Sequence, residues 1–183
     1  MVFPESLNIP DETMLPCGFM SRGYRDNDRG NWLNLMIENG QLGRWNRDRV
    51  QHILLGQSTY SGQQFVLFRD KLVACAGAYL KSQNGTKSWE IGWIATDPNF
   101  FGKGLASHVI IRAIRHTRFY NPYPIFLLTD DFRTPAISLY LKSGFSPSSL
   151  NETDIVSRWK RIESRLEEPE AAMLRNYIEN RNY

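Results

Sequence analysis

The spacing of hydrophobic residues along this chain alternates between a helical period and a strand period. Trp32, Leu35 and Met36 recur at helical spacing, whereas Trp89 and Ile91 alternate with polar or small residues. Turn-forming and capping residues separate these blocks. In chain order the pattern predicts a strand at 19–24, helices at 28–40 and 46–56, strands at 65–68, 72–80 and 89–96, a helix at 105–117, a strand at 124–128, a helix at 134–143, a strand from 145 and a helical segment at 154–180.

The alternation around residue 90 assigns side chains to the two faces of one strand. Trp89, Ile91 and Trp93 lie on one face, and Glu90 and Gly92 share the other. A carboxylate beside a residue without a side chain leaves room for a ligand. Glu90 therefore becomes a candidate for chemistry.

The order of elements predicts an α+β fold. A meander of strands follows two helices, and helices and strands then alternate, which favours a mixed, mostly antiparallel sheet of six to seven strands flanked by helices. Residues 1–17 hold three prolines and are predicted as an irregular lead-in. Residues 18–153 are predicted as one domain, and residues 154–183 as a helical C-terminal extension.

Composition narrows the classes of partner. A net charge of +3 in 183 residues gives no strongly basic surface, so nucleic acid is not expected as a partner. No apolar stretch approaches the roughly 20 residues that span a bilayer, so no membrane association is expected and a cytoplasmic location is predicted. The N-terminal residues carry no secretory signal pattern.

The cysteines and histidines supply no metal-binding pattern. Cys17 and Cys75 are far apart in sequence, and Cys75 lies in an apolar run that favours a core position. His108 and His116 are spaced among arginines on a predicted helix, where a solvated surface position is favoured. No metal is therefore expected.

The segment 94–106 has the pattern of an anion site. A strand ends, the chain turns through Gly102 and Gly104, and a helix opens immediately. The first turn of a helix has unpaired N–H groups and partial positive charge, and glycine lets a phosphate approach the backbone. Lys103 is followed by Gly104 rather than Ser or Thr, which excludes a Walker-type loop, and Ser107 replaces the third glycine of a dinucleotide fingerprint.

The flanks of this turn make the match specific. Phe101-Gly102-Lys103-Gly104-Leu105-Ala106 resembles the acyl-CoA-binding motif Gln/Arg-x-x-Gly-x-Gly/Ala of the GNAT family of N-acetyltransferases, with Phe101 in place of Gln or Arg. A second motif of that family, Asn-x-x-Ala-x-x-Leu-Tyr-x-x-x-Gly-Phe, is similar to residues 133–145, with Arg133 in place of Asn. The resemblance covers about residues 88–147 and implies a GNAT-like fold, with residues 18–153 as the acyl-CoA N-acyltransferase domain.

The resemblance implies acetyl-CoA as the acyl donor. The family's binding mode places the pyrophosphate on the backbone of residues 102–107 and the pantetheine arm along the strand edge at 94–96. The cofactor-binding residues implied are Ile94, Ala95, Thr96, Phe101, Gly102, Lys103, Gly104, Leu105, Ala106, Ser107 and Arg133.

The resemblance also implies two catalytic residues. Glu90 lies fourteen residues before Gly104, where histone-type members carry a glutamate base, and Tyr140 occupies the family's tyrosine position. A base is needed because the attacking amine must be neutral, and a phenol can protonate the leaving thiolate. The structural alternatives are a surface Glu90 paired with Lys87, and a Tyr140 that only packs.

The function implied is acetyl transfer from acetyl-CoA to a primary amine by direct attack in a ternary complex. The acceptor is left open between a small molecule and a peptide, and a homodimer is left open as the assembly. The alternative is a non-catalytic acyl-CoA-binding regulatory domain, since Phe101 and Arg133 depart from the family motifs.

Overall fold

A computed structural model describes residues 1–55, 62–148 and 153–180. Six strands and six α-helices account for most of these residues. The strands are β1 (Val2–Phe3), β2 (Phe19–Gly23), β3 (Gln64–Phe68), β4 (Lys71–Gln83), β5 (Thr86–Thr96) and β6 (Ile125–Phe126). The helices are α1 (Arg29–Asn39), α2 (Arg47–Leu55), α3 (Leu105–Tyr120), α4 (Thr134–Lys142), α5 (Thr153–Glu163) and α6 (Glu170–Glu179).

The chain divides into two compact units, one formed by 11–123 and the other by 1–10 with 124–183. In the first unit, β2, β3, β4 and β5 pair as neighbours in an antiparallel meander. Two-residue turns join the last three strands. Arg69 and Asp70, like Asn84 and Gly85, have positive φ, which suits the right-handed twist of the hairpins.

Helices cover both faces of this meander. Trp32, Leu35 and Met36 of α1 share a buried cluster with Phe65 and Tyr79. The strand side chains on the opposite face of the sheet point toward α3. There, Trp89 of β5 packs edge-on against the ring of His116. The sheet face that carries Tyr79 therefore also carries Glu90, its cross-strand partner.

The second unit joins the N-terminal residues to the C-terminal third of the chain. β1 pairs antiparallel with β6, and Val2 bridges Ser146. Phe3 packs edge-on against Phe145 with ring centroids 5.5 Å apart. Helices α5 and α6 pack on each other in this unit.

The sequence predictions of fold class and of most elements are confirmed. The predicted helical segment at 154–180 consists of two helices, α5 and α6, separated by residues 164–169. The α+β class and the mostly antiparallel strands are as expected, with six strands in the described residues. The lead-in is not wholly irregular, because it contains β1. The predicted strand from residue 145 is wrong over 145–148, where Ser146 forms a single bridge. The predicted end of α2 at Gly56 lies outside the described residues.

None of the described helices is both long and apolar enough to cross a bilayer.

Candidate functional site

The turn between β5 and α3 is built from two glycines in the left-handed region. Gly102 has φ +75° and Gly104 has φ +73°. The first backbone hydrogen bond of α3 runs from the His108 N–H to the Gly104 carbonyl at 3.0 Å. The N–H groups of Leu105, Ala106 and Ser107 precede that bond, so the helix offers them no acceptor. They form the predicted anion-binding end of the helix.

Asp97 braces the start of this turn from inside the protein. The carboxylate is fully buried and accepts hydrogen bonds from the Asn99 N–H at 2.9 Å and the Lys71 ammonium at 2.7 Å. Burial raises the pKa of Asp97, but the hydrogen bonds from Lys71 and Asn99 outweigh it and hold the pKa below its ordinary value. Asp97 therefore stays ionised and fixes the chain ahead of the glycines.

The side chains of the turn point to solvent. Phe101 is 53% exposed and Lys103 is exposed. An added Cβ at Gly102 would meet nothing within 4 Å, whereas one at Gly104 would lie 2.8 Å from the methyl carbon of Thr13. Gly104 is therefore required both for its φ and for the close approach of the lead-in.

β5 carries a bulge just before the turn. Gly92 pairs with Gly77 and Ala95 with Cys75, so β5 spends one more residue than β4 between these pairs. Trp93 lies in the bulge with φ +53°, a costly conformation for a tryptophan. The predicted face shared by Trp93 and Trp89 is wrong, because the bulge turns Trp93 onto Trp45 in the α1 cluster while Trp89 packs against His116. The extra residue interrupts the β4–β5 ladder between Gly92 and Ala95, so Trp93 and Ile94 have no cross-strand partner on β4.

At the end of β5, one polar group of Thr96 is hydrogen-bonded and another is not. The Thr96 carbonyl accepts a hydrogen bond from the Asn39 side chain at 3.0 Å. The buried Thr96 hydroxyl has no partner among the described residues. Buried hydroxyls are normally hydrogen-bonded, so this one suits a bound ligand group. Ile94 is part of the bulge, and Ala95 and Thr96 lie between it and the glycine turn, in the same unit as that turn.

Glu90 leans along the sheet over Gly92. Its Oε1 lies 3.5 Å from the position of a Cβ on Gly92, and its Oε2 pairs with the Lys81 ammonium at 3.1 Å. The side chain is 22% exposed. The partner expected from sequence was Lys87, but Lys81 on β4 forms the ion pair. One carboxylate oxygen is thus held by Lys81 while the other lies over the glycine.

A buried polar pair lies beside this carboxylate. The Gln63 amide donates to the Tyr79 hydroxyl at 2.6 Å, and an added Cβ on Gly77 would lie 2.5 Å from that hydroxyl. Burial strongly raises the pKa of Tyr79, so the hydroxyl stays protonated. Gly77 and Gly92 are cross-strand partners, and because neither has a side chain, they leave the space that Tyr79 and Glu90 occupy side by side.

Tyr140 and Arg133 belong to the other compact unit. Tyr140 is buried on α4, next to Phe145, and burial raises its pKa to about 12, although the charge of Arg133 acts in the opposite direction. Tyr140 is therefore a neutral phenol at physiological pH. The Arg133 guanidinium donates to the Asp130 carboxylate at 2.8 Å. Their predicted roles stay predictions.

Several residues of the site region were not found by sequence reasoning. The expected surface position of His108 is wrong, because its ring is buried and bonded to the Thr13 carbonyl at 2.7 Å. Gln63, Gly77 and Tyr79 lie near Glu90 only through strand register. Cys75 is buried as expected, and burial raises the pKa of its thiol to about 12. Trp32 and Trp45 are buried as well.

Within the described ranges, no group of three or more His, Cys, Asp or Glu side chains is placed to hold a metal ion.

Comparison with known proteins gives a consistent result. Residues 29–145 match the family model described as Acetyltransferase (GNAT) family. A search of curated proteins found no significant match. Among solved structures, the ribosomal-protein-S18-alanine N-acetyltransferase of Escherichia coli superposes with a TM-score of 0.60 at 15% identity, over 72% of this chain and 79% of that chain.

Two plant structures are similar in fold. Glucosamine-6-phosphate N-acetyltransferase of Arabidopsis thaliana has a TM-score of 0.55 at 19% identity, over 72% of this chain and 93% of that chain. Arabidopsis thaliana Naa50, in complex with the bisubstrate analogue CoA-Ac-MVNAL, has a TM-score of 0.56 at 21% identity, over 72% and 85%.

Proposed function

Because the chain belongs to the acetyltransferase (GNAT) family, we propose that it transfers an acetyl group from acetyl-CoA to a primary amine by direct attack in a ternary complex. The observation that carries the proposal is the pair of left-handed glycines, Gly102 and Gly104, followed at once by α3. The fold neighbours include Arabidopsis thaliana Naa50 in complex with the bisubstrate analogue CoA-Ac-MVNAL.

Acyl-CoA would be held mainly by backbone groups. The diphosphate would accept hydrogen bonds from the N–H groups at the start of α3, and Lys103 would add a positive charge beside it. The Thr96 hydroxyl, buried and without a partner among the described residues, would bond the pantetheine arm. Phe101 offers no polar contact, and the backbone donors do not require one.

Catalysis would divide between a base and an acid. The neutral amine attacks the thioester carbonyl carbon, the carbon–sulfur bond breaks, and the products are an amide and free CoA thiol. Glu90 would take the amine proton, directly or through water, and a backbone N–H at the Trp93 bulge would stabilise the carbonyl oxygen as it gains charge. Tyr140 would give its proton to the departing thiolate.

The first experiment is acetyl-CoA turnover with a panel of amines, polyamines, amino acids, aminoglycosides and peptides, read by thiol release. Turnover that depends on one amine class supports the enzyme. The alternative is a non-catalytic acyl-CoA-binding domain, and tight CoA binding without amine-dependent thiol release across the panel would favour it.

The residue roles have their own test. We expect Glu90→Gln to lower kcat about 100-fold or more, and Tyr140→Phe by about tenfold or more, with CoA affinity unchanged in both variants. Lys81→Met, which removes the ion-pair partner of Glu90 and keeps its carboxylate, is the matched control. Wild-type turnover in both the Glu90 and Tyr140 variants would refute the assignment while leaving the family intact.

A further inference from the structure

The lead-in residues Asp11, Glu12 and Thr13 lie along α3 and end at the glycine turn. They form no helix or strand, and side chains and one carbonyl hold them in place. The Thr13 carbonyl accepts a hydrogen bond from the buried His108 ring at 2.7 Å. We call residues 11–13 the strap. It brings Thr13 to a turn that is 91 residues away in sequence.

Glu12 fixes the strap to the helix. Its carboxylate lies 3.5 Å from Arg112 and 3.4 Å from Arg115, with the Nε2 atom of His108 at 3.9 Å. These three residues are spaced three or four apart, so they share one face of α3. Several ionic contacts of one carboxylate restrict the strap more than a single surface pair would.

Thr13 approaches the turn with its methyl carbon and its Cβ, while its hydroxyl oxygen lies more than 4 Å from the position of a Cβ on Gly104. The methyl carbon lies 2.8 Å from the place where a Cβ of Gly104 would be, which is possible only because Gly104 has none. The Thr13 hydroxyl has no hydrogen-bond partner among the described residues. A free hydroxyl therefore lies beside the helix end that offers unpaired N–H groups to an anion.

We propose that Thr13 is a further binding residue for the diphosphate of acyl-CoA, and that Glu12 is the positioning residue that keeps it there. The inference rests on the proposed function, because it assumes that CoA occupies the glycine turn. Thr13 donates its O–H to a phosphoryl oxygen, adding a side-chain donor to a site otherwise made of backbone. No group is transferred in this step.

Calorimetric titration of the full chain with CoA tests the proposal. Thr13→Val keeps the methyl contact with Gly104 and removes the hydroxyl, and we expect it to weaken CoA binding five- to tenfold. Thr13→Ser keeps the hydroxyl and should bind within twofold of wild type. Glu12→Gln should weaken binding two- to fivefold. Thermal unfolding of each variant separates these effects from loss of folding.

A second titration locates the contact within the ligand. Dephospho-CoA lacks the 3′-phosphate but keeps the diphosphate. Relative to wild type, Thr13→Val should therefore lose affinity by the same factor for CoA and for dephospho-CoA. A loss seen with CoA alone would place the contact on the 3′-phosphate and overturn the assignment.

The remaining outcomes are also decisive. Equal affinity of Thr13→Val and wild type would refute the role of Thr13, and tighter binding would identify the strap as an obstruction. Failure of the wild-type chain to bind CoA at all would instead refute the proposed function.

Discussion

The glycine turn at 102–104 differs in construction from the sheet face that carries Tyr79, Glu90 and Gly92, which we call the carboxylate face. At the turn, backbone groups make the site and the side chains of Phe101 and Lys103 point outward. On the carboxylate face, side chains make the site: buried Tyr79 is the cross-strand partner of Glu90, and its hydroxyl accepts a hydrogen bond from the buried Gln63 amide. Under the proposed function, the turn would hold the acyl-CoA, and the face near Glu90 could differ with the acceptor without disturbing the turn.

The strongest test that the turn and the carboxylate face are independent is to add a methyl group at Gly77. Gly77→Ala would place a Cβ 2.5 Å from the Tyr79 hydroxyl and 2.6 Å from the Gln63 amide, and both groups are buried. We expect it to lower the free energy of unfolding by about 2 to 3 kcal/mol. Gly92→Ala, whose Cβ would meet Glu90 at 3.5 Å, should cost less than about 1 kcal/mol.

Urea denaturation measures both variants. CoA affinity measured on the folded fraction should match wild type in each. A large loss of CoA affinity in Gly92→Ala would show that the two regions are not independent.

The role of the glycine turn in binding CoA is tested by alanine substitutions at Gly104 and Gly102. Gly104→Ala combines a strained positive φ with a contact against Thr13, and we expect CoA to bind about thirtyfold more weakly, roughly 2 kcal/mol. Gly102→Ala has the same strain and open space around its Cβ. It should lose less affinity. Equal losses by calorimetry would mean that strain alone sets the effect.

The brace at Asp97 predicts a pH dependence. Its pKa is lowered in the folded state, so its stabilisation is complete above the unfolded value near 4 and is lost as pH falls through the folded value. Asp97→Asn should therefore cost about 1 kcal/mol at pH 7, and the difference from wild type should shrink below about pH 4. Urea unfolding from pH 3 to 7 measures it, and a gap that stays constant over that range would contradict the assignment.

The smallest effect is expected at Phe101. Phe101→Arg restores a cation that the family motif allows, and it should tighten CoA binding about threefold at low salt and less at high salt. Phe101→Ala removes the ring without adding charge and should bind as wild type does. Tighter binding by the alanine variant would show that the ring obstructs the site.

The turn could be predicted from sequence because its determinants are local. Gly102, Gly104 and the opening of α3 lie within a few residues, and backbone conformation follows from them. The strand alternation likewise assigned Glu90 and Gly92 to one face. These features depend on neighbours in sequence.

The surroundings of Glu90 could not be predicted, because they depend on register between strands. Gln63 and Tyr79 are sixteen residues apart and meet only once β3 and β4 are aligned. The strap shows the same limit over a longer range, since no local pattern links Thr13 to Gly104. Register also brought Lys81 rather than Lys87 to Glu90.

The bulge residue Trp93 gives the protein a built-in optical probe. Its indole meets Trp45 edge-on at 5.0 Å, and Trp45 meets Trp32 at 5.1 Å in the same way. Indoles this close couple electronically, so the trio contributes to the near-ultraviolet circular dichroism of the chain a component that depends on the angle at the bulge. A ligand that changed this angle would change that component, so its binding could be followed without a label.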